Sequence, residues 1–406
     1  MSQTEMDSRH PKWLNIFFFE KVIKHYCKDE EAKVMEFVIR SGSKPGESFA
    51  SDLLRASINY LTVSGTKSIS VIVKMMPSKE EGDIDGKRLF MNEMKMYGDT
   101  LIDINRVLVE ANADVKLFPT LIYQSTEPAV IVLEDLSVSG FTTLQVPEDY
   151  ETSKLIFTRL AAFHAATFVL LENKNDFSNY NFSVYHMPDS IQESFFRHNL
   201  DILKTLILEN AWPELNKPEY VDRIDEVIEK CSIRGKRAFT PTAGGFNVLN
   251  HGDFVLRNML FQKIDGEIRD VQFLDFQLSV YASPAVDIFY ALYGSMTLKN
   301  RKKYRKEIIL LYYETFKESL KTYGYDKEPP TLLDLNVELT RNGSLAAHLC
   351  LCYLPYLLAE WSAIDSNVMY NINEDSVLSK RQLYLSEKFS EVIKEEFLDF
   401  FYSGFI

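Results

Sequence analysis

The stretch Leu249–Phe261, "LNHGDFVLRNMLF", sets His251, Asp253 and Asn258 into a run whose flanks are otherwise almost wholly apolar. An unpaired polar group costs free energy when it is buried. Three such side chains at one apolar turn therefore need partners from elsewhere in the chain. They fit the spacing H-x-D-x-x-x-x-N, and a further carboxylate, Asp275, follows in "FLDFQ" at the end of "NMLFQKIDGEIRDVQFLDFQ". Asp265-Gly266 within that segment is a hairpin signal.

The spacing has a physical reason. A tight loop carries one carboxylate forward, five residues bring the Asn carbonyl back to the same place, and a hairpin returns a second carboxylate opposite it. In phosphoryl transfer by kinase-like folds, the Asp on such a loop accepts a hydroxyl proton, while the Asn and the second Asp hold Mg²⁺ between phosphates. Taken singly, Asp253 would be a turn former and His251 a satisfied core histidine. The conjunction of the apolar flanks, the hairpin and Asp275 favours the chemical reading.

Working outward, 406 residues exceed one compact core and suit two domains or a bilobal enzyme. The formal charge is -13, with Lys+Arg 45 against Asp+Glu 58 and no basic cluster able to track a phosphate backbone, so nucleic acid is not an expected partner. The opening "MSQTEMDSRHPKWLNIFFFEKV" lacks a basic n-region and a long apolar h-region. Cys27, Cys231, Cys350 and Cys352 form no disulfide framework and no CxxC pair, and read as reduced thiols of a cytoplasmic protein. The apolar segment "SLAAHLCLCYLPYLLAEW", Ser344–Trp361, is interrupted by His348, Pro355 and Glu360, and reads as a buried, Pro-kinked helix rather than a membrane span.

From about Lys33 to Met76 three strand-like runs separated by turn formers predict an antiparallel sheet. A helix follows, on which Phe90, Met94 and Tyr97 recur at i, i+4 and i+7. "PAVIVLEDLS" then supplies one more buried strand. Beyond Leu136 helical patterns dominate, apart from "SIRGKRAFTPTAGGFNVLNHGD" and the hairpin leading to Asp275. The expected architecture is α+β: a small β-rich part over residues 1–136 and a large, mainly helical part over 137–406.

Further candidates lie in the first part. Lys74 is the only charge in "SISVIVKMMP" and either snorkels at a strand edge or faces an anion. Glu93 borders the Phe90, Met94, Tyr97 face, and a strand Lys paired with a Glu on the next helix is the arrangement by which kinases orient phosphates. "RSGSKPGESFASDLLR", Arg40–Arg55, offers a Gly-containing turn that bears Ser43 and Ser48, where backbone N–H groups are positioned to lie over phosphates. In "SPAVDIFYAL", Asp287 is either a first-turn carboxylate favourable to the helix dipole or a support for the Asp253 loop. His164, in "LAAFHAATF", reads as a packed structural histidine outside the site.

The ordered set "SGSKPGESFAS", "VIVKMMP", "FMNEMKMY", "VIVLEDLS", "LAAFHAATF", "LNHGDFVLRNMLF", "FLDFQ" and "SPAVDIFYAL" resembles the ecdysteroid kinase-like (CHK kinase-like) family of insects. That family is similar in turn to aminoglycoside phosphotransferases and choline kinases, which share the protein-kinase-like fold. The resemblance spans nearly the whole chain. It implies a bilobal fold, with residues 1–136 as nucleotide-binding lobe and 137–406 as catalytic and substrate-binding lobe. It also implies ATP and Mg²⁺ as cofactors, Asp253 as catalytic base, Asn258 and Asp275 as metal ligands, and Lys74 as phosphate contact with Glu93 as its partner. The backbone from Glu134 to Leu136 becomes the adenine-binding hinge. "DFQ" replaces the DFG of protein kinases, as is usual in the family, and Arg257 stands before Asn258 where many relatives carry a small polar residue.

Pro284 follows Asp275 by only nine positions, too few for the activation segment of a protein kinase. The implied acceptor is a small-molecule hydroxyl on an ecdysteroid, phenol or glycoside. The competing expectation is a catalytically silent kinase-like protein that binds a hydrophobic ligand.

Overall fold

In the computed structural model the described residues are 10–42, 52–76, 84–145, 149–173, 175–187, 193–359, 368 and 371–406. The chain separates into two compact units, one made of Met1–Phe90 and Phe118–Thr142, the other of Met91–Leu117 and Thr143–Ile406.

The first unit is built on an antiparallel sheet of β1 (Lys33–Ser41), β2 (Asp52–Thr62), β3 (Gly65–Met75), β4 (Leu121–Thr126) and β5 (Ala129–Glu134), in the order β1-β2-β3-β5-β4. The three strands expected before Met76 and the strand at "PAVIVLE" are present. β4, in "LIYQST", was not foreseen, because its apolar positions are too few to stand out. A short strand, β6 (Phe141–Thr142), follows. One face of the sheet is covered by the helix Ile16–Cys27, whose Asn15 cap accepts from the N–H groups of Phe17 and Phe18. Phe18, Phe19, Val22 and Ile23 of that helix pack on Ala56, Ile58, Val71, Val73, Val130 and Val132. Because strand side chains alternate between faces, packing Val71, Val73 and Met75 inward turns Ser70, Ile72 and Lys74 to the other face.

The second unit is mainly helical. The helix Tyr150–Glu172, capped by Asp149, is buried along nearly its whole length and packs on the helix Leu298–Thr322. It is the one helix among the described residues long and apolar enough to cross a membrane, and 72% of its apolar window lies buried inside the protein, as in a core helix. The segment read as a Pro-kinked helix is a helix Gly343–His348, a π-helical turn Leu349–Tyr353 and a further turn Leu354–Leu357 containing Pro355. A π turn and a proline are both recognised causes of a kink.

Two β elements interrupt these helices. β7 (Val248–Asn250) pairs antiparallel with β10 (Val280–Ala282). Between them, β8 (Met259–Ile264) and β9 (Glu267–Phe273) form the expected hairpin. Asp265 and Gly266 turn it with φ 53° and 83°, the two positive values that a type I′ turn requires.

The "SIRGKRA" run departs from expectation, since it ends the helix Pro218–Ala238. Gly235 sits inside that helix, where a Cβ would lie 2.1 Å from the Tyr185 ring.

Candidate active site

β7 and β10 fix both ends of the loop that starts at His251. Asn250 ties them together: its Nδ2 reaches the carbonyls of Val280 and Ala282, and its Oδ1 accepts from Asp287 N at 3.3 Å. Gly252 then turns the chain at φ 85°, where a Cβ would lie 1.9 Å from the Leu278 carbonyl oxygen, so only glycine fits between Asp253 and the segment after Asp275.

Asp287 is the support of this loop. Its Oδ2 accepts from His251 N at 2.6 Å and its Oδ1 from Gly252 N at 2.9 Å. It stands in the first turn of the helix Ala285–Gly294, so the dipole reading is also satisfied. His164 is the packed structural histidine expected, and it packs on this support: its Nε2 donates to Asp287 Oδ2 at 3.1 Å, and Tyr312 O–H donates to its Nδ1 at 2.7 Å. It orients the carboxylate that orients the loop. A histidine in the largely apolar run "LAAFHAATF" was the available signal, since a buried imidazole needs partners.

His251 joins the loop to the hairpin. Its Nε2 donates to Leu274 O at 2.7 Å, so Nδ1 is the acceptor, and Asp253 N faces it at 3.4 Å. Asn258 gives its amide hydrogens to Asp253 O at 2.8 Å and Asp253 Oδ2 at 2.9 Å. That orientation leaves the amide oxygen as the group able to meet a cation. Met259 pairs with Phe273 across the hairpin, and Leu274 N donates to Asn258 O at 2.9 Å, which brings Asp275 back beside the loop.

Asp275 holds φ 63°, ψ 60°, a left-handed conformation that Asp tolerates better than most residues. Gln277, the residue that makes this "DFQ", donates from Nε2 to Asp275 Oδ2 at 3.2 Å. Asn92 holds the same segment, donating to the carbonyls of Gln277 and Ser279 at 2.9 and 3.2 Å. Its neighbour Glu93 is buried on the helix Ile84–Lys95. Burial pushes the nearby Tyr97 phenol well above its ordinary range, and the charges of Glu93 and Asp275 push it further. Glu93 and Asp275 therefore act on one buried ring.

Asp253 is half-buried. Burial raises it above the usual carboxylate range, opposed by Arg257 and His251, reinforced by Asp275 and opposed by the Asn258 hydrogen bond. Its Oδ1 accepts from Tyr353 O–H at 3.2 Å, and Arg257 Nη2 lies 3.6 Å from its Oδ2 while donating to the Tyr353 hydroxyl. Tyr353 was missed by the sequence reading because it sits 100 positions from Asp253 in a stretch that shows only apolarity.

In the first unit, Lys74 is buried on β3, which is flanked by β2 and β5, so it is not the edge-strand Lys that snorkels. On its face of the sheet Asp135 accepts from Ser70 Oγ at 2.6 Å and pairs with Arg55 at 2.9 Å. Glu134 exchanges two hydrogen bonds with Thr120, its N donating to Thr120 O and its Oε2 accepting from Thr120 N. Leu136 is buried in the 3₁₀ turn that follows. Ser43 and Ser48 lie outside the described residues.

As a donor set, Asn258 and Asp275 supply hard oxygens suited to Mg²⁺, a cation that takes one or two protein oxygens and completes its shell with phosphates and water. Among the described residues there is no group of three or more His, Cys, Asp or Glu able to hold a metal unaided.

The fold is the expected α+β, bilobal, protein-kinase-like one, with a small antiparallel sheet in one lobe and a large, mainly helical second lobe. Its class is that of the small-molecule phosphotransferases that act on hydroxyl groups. A sequence profile of the ecdysteroid kinase-like family matches residues 45–325, and the chain belongs to that family. No curated protein sequence matches it. Among solved structures it is similar to a microcompartment-associated aminopropanol kinase, at 11% identity and TM-score 0.45, over 97% of this chain and 99% of that one. It is also similar to choline kinase LicA from Streptococcus pneumoniae, at 14% identity and TM-score 0.35, over 81% and 99%. A third is the GDP complex of wild-type aminoglycoside 2'-phosphotransferase-IIIa, at 13% and 0.39, over 93% and 99%.

Proposed function

We propose that this protein is a cytoplasmic kinase that uses ATP and Mg²⁺ to phosphorylate a hydroxyl of an ecdysteroid or a similar lipophilic alcohol, phenol or glycoside, in hormone inactivation or detoxification. One observation carries the reading. Asn258 spends its amide hydrogens on Asp253, which leaves its own oxygen as the group able to meet a cation and holds the neighbouring carboxylate in place.

On this reading residues 1–136 form the nucleotide-binding lobe and 137–406 the catalytic and substrate-binding lobe. Lys74, partnered by Glu93, meets the phosphates. The backbone of Glu134 to Leu136 meets the adenine, and the loop with Ser43 and Ser48 covers the phosphates. Asn258 and Asp275 would hold Mg²⁺, which when bound neutralises charge on the phosphates.

Asp253 takes the acceptor's proton as the acceptor oxygen bonds to the γ-phosphorus and the bond from phosphorus to the bridging oxygen breaks, with ADP leaving. A carboxylate raised by burial is better matched to that task near neutral pH than an ordinary one.

The test is an ADP-release screen with Mg-ATP against ecdysteroids, plant phenols, glycosides and choline. Turnover with at least one acceptor is expected, falling about 10²- to 10⁴-fold in Asp253→Ala, the usual contribution of a general base. Turnover that survives Asp253→Ala would overturn the assignment of the base. Failure to bind Mg-ATP, with no turnover of any acceptor, would instead indicate a silent binder of hydrophobic ligands.

A further inference from the structure

The two carboxylate oxygens of Asp253 face different chemistry. Oδ2 accepts from Asn258, on the side where the hairpin returns Asp275. Oδ1 accepts from the Tyr353 hydroxyl, at the end of the π-helical turn Leu349–Tyr353. Such single π turns recur at functional sites. The Tyr353 ring is bordered by Phe195 at 5.9 Å and Tyr290 at 6.2 Å between centroids, so the surroundings of Oδ1 are aromatic. Burial, with the charges of Asp253 and Asp287, pushes the Tyr290 phenol well above its ordinary range and keeps it neutral.

Arg257 brings a permanent positive charge to these contacts. Its guanidinium lies 5.4 Å from the Tyr353 ring centroid, and its Nη2 is bonded to the Tyr353 hydroxyl and lies 3.6 Å from Asp253 Oδ2. Two consequences follow. The guanidinium already engages the face through which Tyr353 would attract a quaternary ammonium. A permanent positive charge also stands beside the oxygens that receive the acceptor's proton, where a second cation meets a like charge in a partly desolvated place.

Resting on the reading of Asp253 as the base, we propose that Arg257 and Tyr353 form a charge filter on its acceptor side. Tyr353 positions the carboxylate, and Arg257 admits hydroxyl compounds that are uncharged near the hydroxyl while rejecting those that carry an ammonium there. This gives Arg257 a specificity role.

Matched pairs of acceptors test it on the full chain with Mg-ATP: choline against its uncharged carbon isostere dimethylbutanol, and tyramine against ethylphenol. The readout is the ratio of kcat/KM within a pair, so a general loss of activity in a variant cancels. The wild type is expected to favour the neutral member by about tenfold or more, since like-charge juxtaposition is strongly disfavoured. Arg257→Gln is expected to shrink that ratio by about tenfold, while Arg257→Lys, which keeps the charge, retains most of it. Tyr353→Phe should leave the ratio in place, lower kcat more than it changes KM, and move the acid limb of the pH profile upward, because a hydrogen bond to the ionised carboxylate is lost.

A wild-type ratio near unity, no turnover of either member of both pairs, or a ratio unmoved by Arg257→Gln overturns the filter. If Asp253→Ala is inactive while Arg257→Gln leaves the ratio unchanged, the filter alone fails. If Asp253→Ala stays active, the reading beneath it fails first.

Discussion

Asp135 of the first unit and Asp253 of the second are both carboxylates drawn out of water, and they are satisfied very differently. Burial pushes Asp135 upward, but the hydroxyls of Ser70 and Ser137, the Arg55 guanidinium and the Ser137 N–H outweigh it and hold the group below the usual carboxylate range. Around Asp253 burial wins over Arg257, His251 and Asn258. On the proposed reading, the difference separates a carboxylate that stabilises a fold from one kept for chemistry. The first is saturated with donors, and the second keeps partners that leave its proton affinity high.

Asp287 belongs with the saturated kind, and its loss should have the largest effect on stability. Asp287→Ala leaves His251 N, Gly252 N and the His164 imidazole without their shared acceptor, with Asp287, His251 and His164 each 0% exposed. Breaking such a buried charged network costs about 3–5 kcal/mol, which denaturant unfolding would read. A loss below about 1 kcal/mol, the scale of a surface substitution, would mean that the loop is held by β7 and β10 alone.

Next in size is the contrast itself. Asp135→Asn should cost about 1.5–3 kcal/mol at neutral pH, the range for hydrogen bonds to a charged group. A native value below the unfolded one stabilises above the unfolded pKa and is lost as pH falls through the native value, so this deficit should vanish in acid. Asp253 has the opposite sign. A native value above the unfolded one makes stability fall as pH rises between the two, so Asp253→Asn should be neutral or stabilising at pH 7 while it removes turnover. Equal destabilisation by both variants at neutral pH would erase the distinction.

What was legible in the sequence was local. The Asp253 to Asn258 spacing, the Asp265-Gly266 turn and the strand alternation ending at Lys74 are each written within a dozen residues, because turn chemistry and pleat act at that range. The residues that hold the site in place come from afar: His164 reaches Asp287 across 123 positions and Tyr353 reaches Asp253 across 100. In sequence each looked like one more member of an apolar helix.

Gln277, beside Asp275, offers the finest test of the comparison. Gln277 donates an amide hydrogen to Asp275 Oδ2 at 3.2 Å. If Asp275 is a metal ligand, that donor fixes the carboxylate so that its other oxygen faces the cation, as outer partners of metal ligands do. Gln277→Ala should then raise the Mg²⁺ concentration needed for half-maximal turnover by about fivefold, with little change in thermal stability, because the left-handed backbone at Asp275 is also held by Asn92 through the Gln277 and Ser279 carbonyls. The measurement is ADP release titrated with Mg²⁺ at fixed ATP. An unchanged midpoint with lower stability would put Gln277, and Asp275 with it, on the structural side of the comparison that Asp135 exemplifies.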